Sequence, residues 1–182
     1  MTRRSLCISA AQLVAGASFL ARSATAADEE AKRRHLPLEE LKNIIAEDFQ
    51  ERQYYTTGQL TQAIFDDQCA FIDPTTTVKG PKFYSKAVAA LFDASTSRAD
   101  LISTQVVDDH TIEMRWRFDA GTNLPGKPRL KPYTGSTKYI INSDGLIEKQ
   151  IETWDISVLD AFISTFFKSF GAPPAPPVSS MR

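Results

Sequence analysis

Residues 111–119, TIEMRWRFD, decide the fold of this chain. Apolar side chains occupy every second position of the stretch, and charged side chains occupy most of the positions between them. This alternation places the two kinds of side chain on opposite faces, so it predicts a β-strand with one buried face. Asp108-Asp109-His110 comes directly before it and predicts a tight hairpin turn from a partner strand at Ala99–Val107.

Two more strands are predicted downstream of this hairpin. Thr134–Ile141 leads into Asn142-Ser143-Asp144-Gly145, which favours a hairpin turn, and Leu146–Ile156 follows. The segment between the second and third strands, residues 120–132, contains three Pro and two Gly, so we expect a long ordered loop there. The four strands together predict an antiparallel sheet.

The N-terminal half has helical periodicity. Apolar residues recur at spacings of three and four from Pro37 to about Tyr55, which predicts a long helix. We expect a shorter helix at Leu60–Asp67 and a short strand at Cys69–Asp73 that ends at Pro74. Thr75–Gly80 is expected to be a turn, and Pro81 begins a third helix.

A final helix is predicted after the sheet. Ser157 and Asp160 have the spacing of an N-terminal capping box, and Gly171 ends the helix. Each Phe that is fully buried contributes about 1.5–3 kcal/mol, so the apolar stripe of this helix needs a partner surface. The stripe consists of Leu159, Phe162, Ile163, Phe166 and Phe170.

This order of elements predicts an α+β fold. Three N-terminal helices pack against a strongly curved antiparallel sheet, which forms a cone, and a C-terminal helix follows. The long first helix lies in the concave face of the sheet. Because helices do not fill the wide end of such a cone, we expect a ligand pocket or a dimer interface there.

Composition excludes several classes of protein. The 182 residues are 42% hydrophobic and carry a net charge of −1, which indicates one globular domain and argues against nucleic-acid binding. Two Cys exclude a disulfide framework, and two His make a His-based metal site improbable. The chain has no Walker loop, dinucleotide glycine motif, HExxH or CxxC, so we expect neither a metal nor a cofactor.

The N-terminus has the features of an export signal. Thr2-Arg3-Arg4-Ser5-Leu6 resembles a twin-arginine signal, an apolar run follows, and Ala24-Thr25-Ala26 is a cleavage site. An ordinary secretory signal or an amphipathic N-terminal helix is the alternative. The predicted organisation is a cleaved signal at residues 1–26, a linker at 27–36, a domain at 37–170 and a Pro-rich tail at 171–182. Cys69 lies in an apolar run, which favours a buried, inert thiol.

Several stretches of the body resemble the nuclear transport factor 2-like superfamily, which includes SnoaL-like proteins and ketosteroid isomerase. They also resemble an uncharacterised branch of it in plants, algae and cyanobacteria. The resemblance spans about residues 40–167. The stretches are AIFDDQCAFIDP (63–74), VKG (78–80), MRW (114–116), PYTG (132–135) and IETWD (151–155).

The family resemblance also implies an address. In a photosynthetic eukaryote, a twin-arginine signal leads to the thylakoid lumen of the chloroplast, after a plastid import sequence that would precede it. The alternative is a bacterial periplasm or a cyanobacterial lumen.

Two carboxylates are weak candidates for a catalytic base. Glu152 lies two residues from Trp154 and therefore shares its face of the sheet, which makes it the better candidate. Asp73 precedes Pro74, so capping a turn is the better interpretation of its side chain. Core packing is the main alternative to ligand binding for the aromatic residues. The residues predicted to contact a ligand are Phe71, Tyr84, Trp116, Tyr139, Glu152 and Trp154.

Three functional hypotheses follow. The first is a non-catalytic accessory protein of the thylakoid lumen, which holds a small apolar ligand or docks on a thylakoid membrane complex. The second is a small isomerase, cyclase or dehydratase that uses Glu152 or Asp73 as its base. The third is a dimerising scaffold that associates through the outer sheet face or the Phe-rich final helix.

Overall fold

The computed structural model describes residues 31–167 and 169–181. The predicted signal at residues 1–26 lies outside the described residues, and so does the first part of the predicted linker. The helices are α1 (Leu38–Gln50), α2 (Tyr54–Thr57), α3 (Pro81–Leu91) and α4 (Val158–Phe166). The strands are β1 (Phe65–Ile72), β2 (Thr77–Lys79), β3 (Phe92–Asp108), β4 (Thr111–Thr122), β5 (Tyr133–Ile141) and β6 (Ile147–Trp154).

The sheet confirms the predicted α+β class. Its six strands lie in the order β2-β1-β6-β5-β4-β3, and the four predicted strands are its β3 to β6, antiparallel throughout. The sheet is curved and unclosed, with α1 packed on β3 across its concave face. The turn predicted at Thr75–Gly80 is wrong in part, because Thr77–Lys79 pairs with β1 as strand β2. The loop predicted at 120–132 begins later than expected, because β4 extends to Thr122. The parallel pairing of β1 with β6 was not predicted.

The N-terminal helices differ from the prediction in two places. The first helix ends at Gln50 rather than near Tyr55, because Gln53 adopts a left-handed φ of 52° and starts the separate helix α2. The helix predicted at Leu60–Asp67 is wrong. A single 3-10 turn at Gln62–Ile64 leads directly into β1, since pairing with β6 holds this segment extended.

The described part of the predicted linker is attached to the domain. Lys32 Nζ lies 2.7 Å from the Asp67 carboxylate and donates a 2.7 Å hydrogen bond to the Phe65 carbonyl. The His35 amide donates to the Asp144 carbonyl at 3.2 Å. These contacts place the segment against both β1 and the β5–β6 turn.

The predicted tail also packs on the domain. The Ala175 amide donates a 2.8 Å hydrogen bond to the Pro132 carbonyl. Arg117 on the outer face of β4 donates to the Pro176 carbonyl at 2.8 Å, and its side chain is buried. Residues 172–181 therefore form a strap over the outer face of the sheet.

Candidate functional site

The site lies on the inner face of β6 and β5. Strand pairing sets Glu152 opposite Thr137, and Gln150 opposite Tyr139. Since side chains alternate along a strand, Gln150, Glu152 and Trp154 point to the same face. The register therefore confirms the prediction that Glu152 and Trp154 lie on the same face of the sheet.

Gly135 keeps this face open for large rings. It lies opposite Trp116 of β4 and Trp154 of β6. A Cβ at this position would lie 2.5 Å from Cη2 of Trp116 and 2.5 Å from the Thr153 carbonyl oxygen. The Trp116 indole therefore occupies the space that any other residue would fill.

Glu152 is half-buried as a residue, and its carboxyl group lies at the buried end of the side chain. Gln150 Nε2 donates a 3.1 Å hydrogen bond to its Oε1. Burial raises the pKa of Glu152 to about 7, and the negative charge of Asp73 acts in the same direction. Gln150, Trp154 and Tyr55 lower it by a smaller amount. The carboxyl group therefore changes its charge near neutral pH.

Aromatic side chains surround this carboxylate. Burial raises the pKa of Tyr55, Tyr84 and Tyr133, and the charge of Glu152 acts in the same direction. Tyr133 contacts Trp154 with their ring centroids 5.4 Å apart. The indole Nε1 of Trp154 is buried, and Trp154 is one of the neighbours that lower the pKa of Glu152. The surroundings of Glu152 are therefore largely apolar.

A hydrogen-bonded chain connects Glu152 to the interior. Gln150 Oε1 accepts from the Tyr54 hydroxyl at 3.2 Å, and that hydroxyl lies 2.5 Å from the Tyr139 hydroxyl. Gln150 Nε2 also lies 3.5 Å from the Tyr55 hydroxyl. Burial raises the pKa of these three tyrosines, so they stay neutral and rigidly paired.

Thr137 extends the chain on its other side. Its hydroxyl is hydrogen-bonded to the Tyr55 hydroxyl and accepts a 2.8 Å hydrogen bond from Trp116 Nε1. Trp116 and Tyr139 are almost wholly buried, at 1% and 0% exposure. Their polar atoms are used inside the protein.

Asp73 caps the turn that follows β1. Its Oδ1 accepts hydrogen bonds from the backbone amides of Thr75 at 2.6 Å and Thr76 at 2.9 Å. The interpretation of Asp73 as a turn cap is thus confirmed. Its charge still acts on Glu152.

The structure separates the six predicted ligand contacts into two groups. Phe71 and Tyr84 stack at a centroid distance of 4.1 Å and are buried, like Trp116 and Tyr139. Glu152 and Trp154 retain exposed surface. Ligand contact through any of the six stays a prediction. Glu152 and Trp154 are the two of the six that are accessible to a ligand from solvent.

Sequence reasoning missed Tyr133, Gln150 and Tyr55. Alternation along Ile147–Trp154 was the available indication for Gln150, because it lies two residues before Glu152. The β4–β5 register brings Tyr133 opposite Phe118, and hence onto the inner face. Tyr55 was assigned to the end of a continuous helix, so its position in α2 was not foreseen.

Two clefts lie away from Glu152. One of about 410 Å³ separates the strap from Arg115 and Asp155, on the outer face of the sheet. Another of about 560 Å³ lies between the end of α1 and Asp100 of β3.

Other chemistry is limited in the part of the chain that is described. Cys69 is buried, and desolvation raises the pKa of its thiol to about 12, which makes it a poor nucleophile. Within residues 31–167 and 169–181, no group of three or more His, Cys, Asp and Glu is arranged to hold a metal ion. Over the same residues, no helix has the length and apolar character needed to cross a membrane.

A family model described as "Uncharacterized conserved protein (DUF2358)" matches residues 39–150. No curated protein matches this chain in sequence. Among solved structures, a hypothetical protein from Catenulispora acidiphila with a ketosteroid isomerase-like fold, in complex with trimethylamine, is 10% identical. It has a TM-score of 0.49, with 65% of this chain and 89% of that chain covered.

Two other solved structures are similar. A nuclear transport factor 2-like protein from Salmonella enterica is 14% identical, with a TM-score of 0.48 and coverage of 66% of this chain and 92% of its own. A putative SnoaL-like isomerase from Agrobacterium tumefaciens is 15% identical, with a TM-score of 0.43 and coverage of 65% and 97%. The resemblance to the nuclear transport factor 2-like superfamily, and to its plant, algal and cyanobacterial branch, stays a prediction.

Proposed function

Because the chain belongs to the DUF2358 family of uncharacterized conserved proteins, we propose its function from its own residues: it is a non-catalytic accessory protein that binds a small, flat, apolar ligand beside Glu152. One observation carries this proposal. Glu152 and Trp154 keep exposed surface at a place where the surrounding rings are buried and apolar. Such a combination offers stacking area together with one hydrogen-bonding group that fixes orientation.

The use of Asp73 supports a non-catalytic role. Asp73 is the other carboxylate predicted as a candidate base. It is occupied by the amides of Thr75 and Thr76. Glu152 is then left as a binding group that accepts a hydrogen bond from the ligand.

Calorimetry with 2-naphthol tests the binding site. Its hydroxyl donates to the Glu152 carboxylate while its rings contact Trp154 and Tyr133. A hydrogen bond to a charged acceptor contributes about 1.5–3 kcal/mol, so Glu152→Gln should weaken binding by about tenfold or more. Glu113→Gln removes a carboxylate from the outer face of β4 and should leave binding unchanged. Equal affinity of wild type and Glu152→Gln, or no binding to either, contradicts the proposal.

A second candidate is a proton-transfer enzyme, favoured by the Glu152 pKa of about 7. A general base works best when its pKa lies near the working pH. 5-Nitrobenzisoxazole is a suitable probe, because removal of its ring C–H proton opens the N–O bond and gives a coloured phenolate. A wild-type rate that rises with pH through 7, and that is lost in Glu152→Gln, would favour the enzyme. Equal rates for the two proteins favour the non-catalytic function.

The proposed address is the thylakoid lumen, where a thylakoid membrane complex is the proposed protein partner. The support is the sequence of Arg3-Arg4 and the cleavage site that ends at Ala26. Incubation with isolated thylakoids should give a shortened, protease-protected product. Arg3→Lys with Arg4→Lys should abolish it, whereas Arg33→Lys with Arg34→Lys should not. Equal transport of both double variants contradicts this address.

A further inference from the structure

Helix α4 is oriented with its large apolar side chains toward solvent. Its buried members are Asp160, Ala161 and Ser164. By contrast, Phe162 and Phe167 are each 68% exposed. We call the outward surface the C-terminal apolar face. It consists of Val158, Leu159, Phe162, Phe166, Phe167 and Phe170.

Specific contacts fix this orientation. The buried Lys131 Nζ lies 2.8 Å from Asp160 Oδ1 and also donates to the carbonyls of Phe170 and Ala172. The other carboxylate oxygen of Asp160 accepts from the Ala172 amide at 2.7 Å. Rotating α4 to bury its Phe side chains would break this ion pair. The outward direction of the face is therefore built into the fold.

Gly171 completes the arrangement. It has a φ of +70°, and a Cβ there would lie 2.1 Å from Asp160 Oδ2. Glycine therefore allows the chain to close over Asp160 beyond the end of α4. The prediction that the final helix extends to Gly171 is wrong, because α4 ends at Phe166. The apolar stripe predicted to need a partner surface thus finds none among the described residues of its own chain.

The extent of the face fits a protein partner. A Phe side chain buries about 150–250 Å² when it is fully covered. With the observed exposures, the six side chains offer on the order of 600 Å². Two such faces together approach the lower end of specific protein interfaces, about 1,200 Å² in total.

Charge distinguishes a second copy from a lipid surface. The described part of the face carries no Lys, Arg, Asp or Glu, and the one charge of α4, Asp160, is turned inward to Lys131. The six side chains that define the face therefore bring no like charges together. Helices that lie on membranes usually carry Lys and Arg on their polar side, whereas the polar side of α4 is buried in the protein.

We propose that the C-terminal apolar face is the contact surface between two copies of this chain. The copies are related by a two-fold axis, so the same residues contact each other from both sides. A helix of nine residues is about 13.5 Å long, which brings the two α4 helices together along their whole length. Phe162 and Phe166, with their rings 5.9 Å apart and edge-to-face, form the centre of this contact.

Sedimentation velocity of the full chain across a wide micromolar range tests the proposal. Wild type should form dimers, and Phe162→Asp with Phe166→Asp should shift the dissociation constant upward by more than a hundredfold. Phe83→Asp is the matched control, since Phe83 is 64% exposed on α3, outside the face. It should dimerise like wild type. Circular dichroism checks that each variant is folded.

A second measurement keeps the proposal testable if the double variant does not fold. p-Benzoylphenylalanine in place of Phe162 keeps an aromatic ring there and should photo-crosslink two chains, whereas the same replacement of Phe83 should not. A wild type that stays monomeric at every concentration overturns the proposal. So does dimerisation that persists in the folded double variant. Monomers that bind phosphatidylcholine vesicles through Phe162 overturn it in favour of a lipid surface.

Discussion

The side-chain amide of Gln150 donates a 3.1 Å hydrogen bond to Oε1 of Glu152. Gln150 is fully buried and Glu152 is half-buried, so this bond joins the sealed interior to the exposed end of the site. The same amide group contacts two interior tyrosines. The position of the Glu152 carboxylate therefore depends on the packed core beneath it.

Glu152→Gln should stabilise the protein at high pH. The pKa of Glu152 is about 7 in the folded state and 4.5 without the protein environment, so the folded state binds its proton more tightly. The free energy of unfolding therefore falls as the pH rises from 4.5 to 7. Each pKa unit corresponds to about 1.4 kcal/mol of unfolding free energy. Because Glu152 is partly exposed, the total loss over this pH range is on the order of 2 kcal/mol.

Thermal unfolding across this pH range checks the effect. Above pH 7, the melting temperature of Glu152→Gln should exceed that of wild type by several degrees, and the difference should vanish below 4.5. Glu113→Gln, on the outer face of β4, is the control variant measured over the same pH range. A Glu152→Gln difference that is constant with pH would show that Glu152 has an ordinary pKa.

Gln150→Leu should destabilise the fold by about 1–3 kcal/mol, because it removes a partner from buried hydroxyls. It should also raise the pKa of Glu152 further, since the hydrogen bond from Gln150 lowers it. Urea unfolding measures the first effect, and a carboxyl titration by NMR measures the second. Gln105→Leu, on the exposed side of β3, is the control. A Glu152 titration that is unchanged in Gln150→Leu contradicts the role of this amide.

Lys131→Met should release the strap from the sheet. Without Lys131, the Asp160 carboxylate loses its main partner, and the Ala172 and Ala175 amides should exchange hydrogen much faster. Amides within β4 and β5 should keep their protection. Lys127→Met lies in the same loop, but the Lys127 side chain is 75% exposed. It should leave the exchange rates of the Ala172 and Ala175 amides unchanged. Protection of Ala172 equal to that of wild type would contradict this account of the strap.

Gly58→Ala should prevent stable folding. Gly58 has a φ of +73°, and a Cβ there would lie 2.2 Å from the Ser85 carbonyl oxygen. Gly126 has a similar φ of +80° but nothing within 4 Å of the added Cβ. Gly126→Ala therefore measures the backbone strain alone, about 1–2 kcal/mol. The unfolding free energy should fall much further for Gly58→Ala, and equal losses would argue against a steric cause.

Local pattern was sufficient to predict the sheet that carries the site. The alternation in residues 111–119 and the hairpin residues around Asp144 fixed four strands and the face shared by Glu152 and Trp154. These features depend on neighbours in sequence. For the same reason Glu152 was identified as the better carboxylate before its surroundings were known.

Contacts between distant residues were beyond prediction. Lys131 and Asp160 lie 29 positions apart, and Lys32 and Phe65 lie 33 apart, so no local spacing indicates either contact. The prediction of a helix at Leu60–Asp67 was wrong because a contact between distant residues decides this segment too. Its apolar spacing also fits a helix, but pairing with Ile147, on a strand far along the chain, decides the conformation.

A carboxyl NMR titration of Glu152, with and without 2-naphthol, tests the central claim most directly. The account predicts a midpoint near 7 in the free protein. It also predicts a lower midpoint with 2-naphthol, because a hydroxyl that donates to the carboxylate favours its charged form. A midpoint near 4.5 in the free protein, or one that 2-naphthol does not move, would contradict a binding site centred on Glu152.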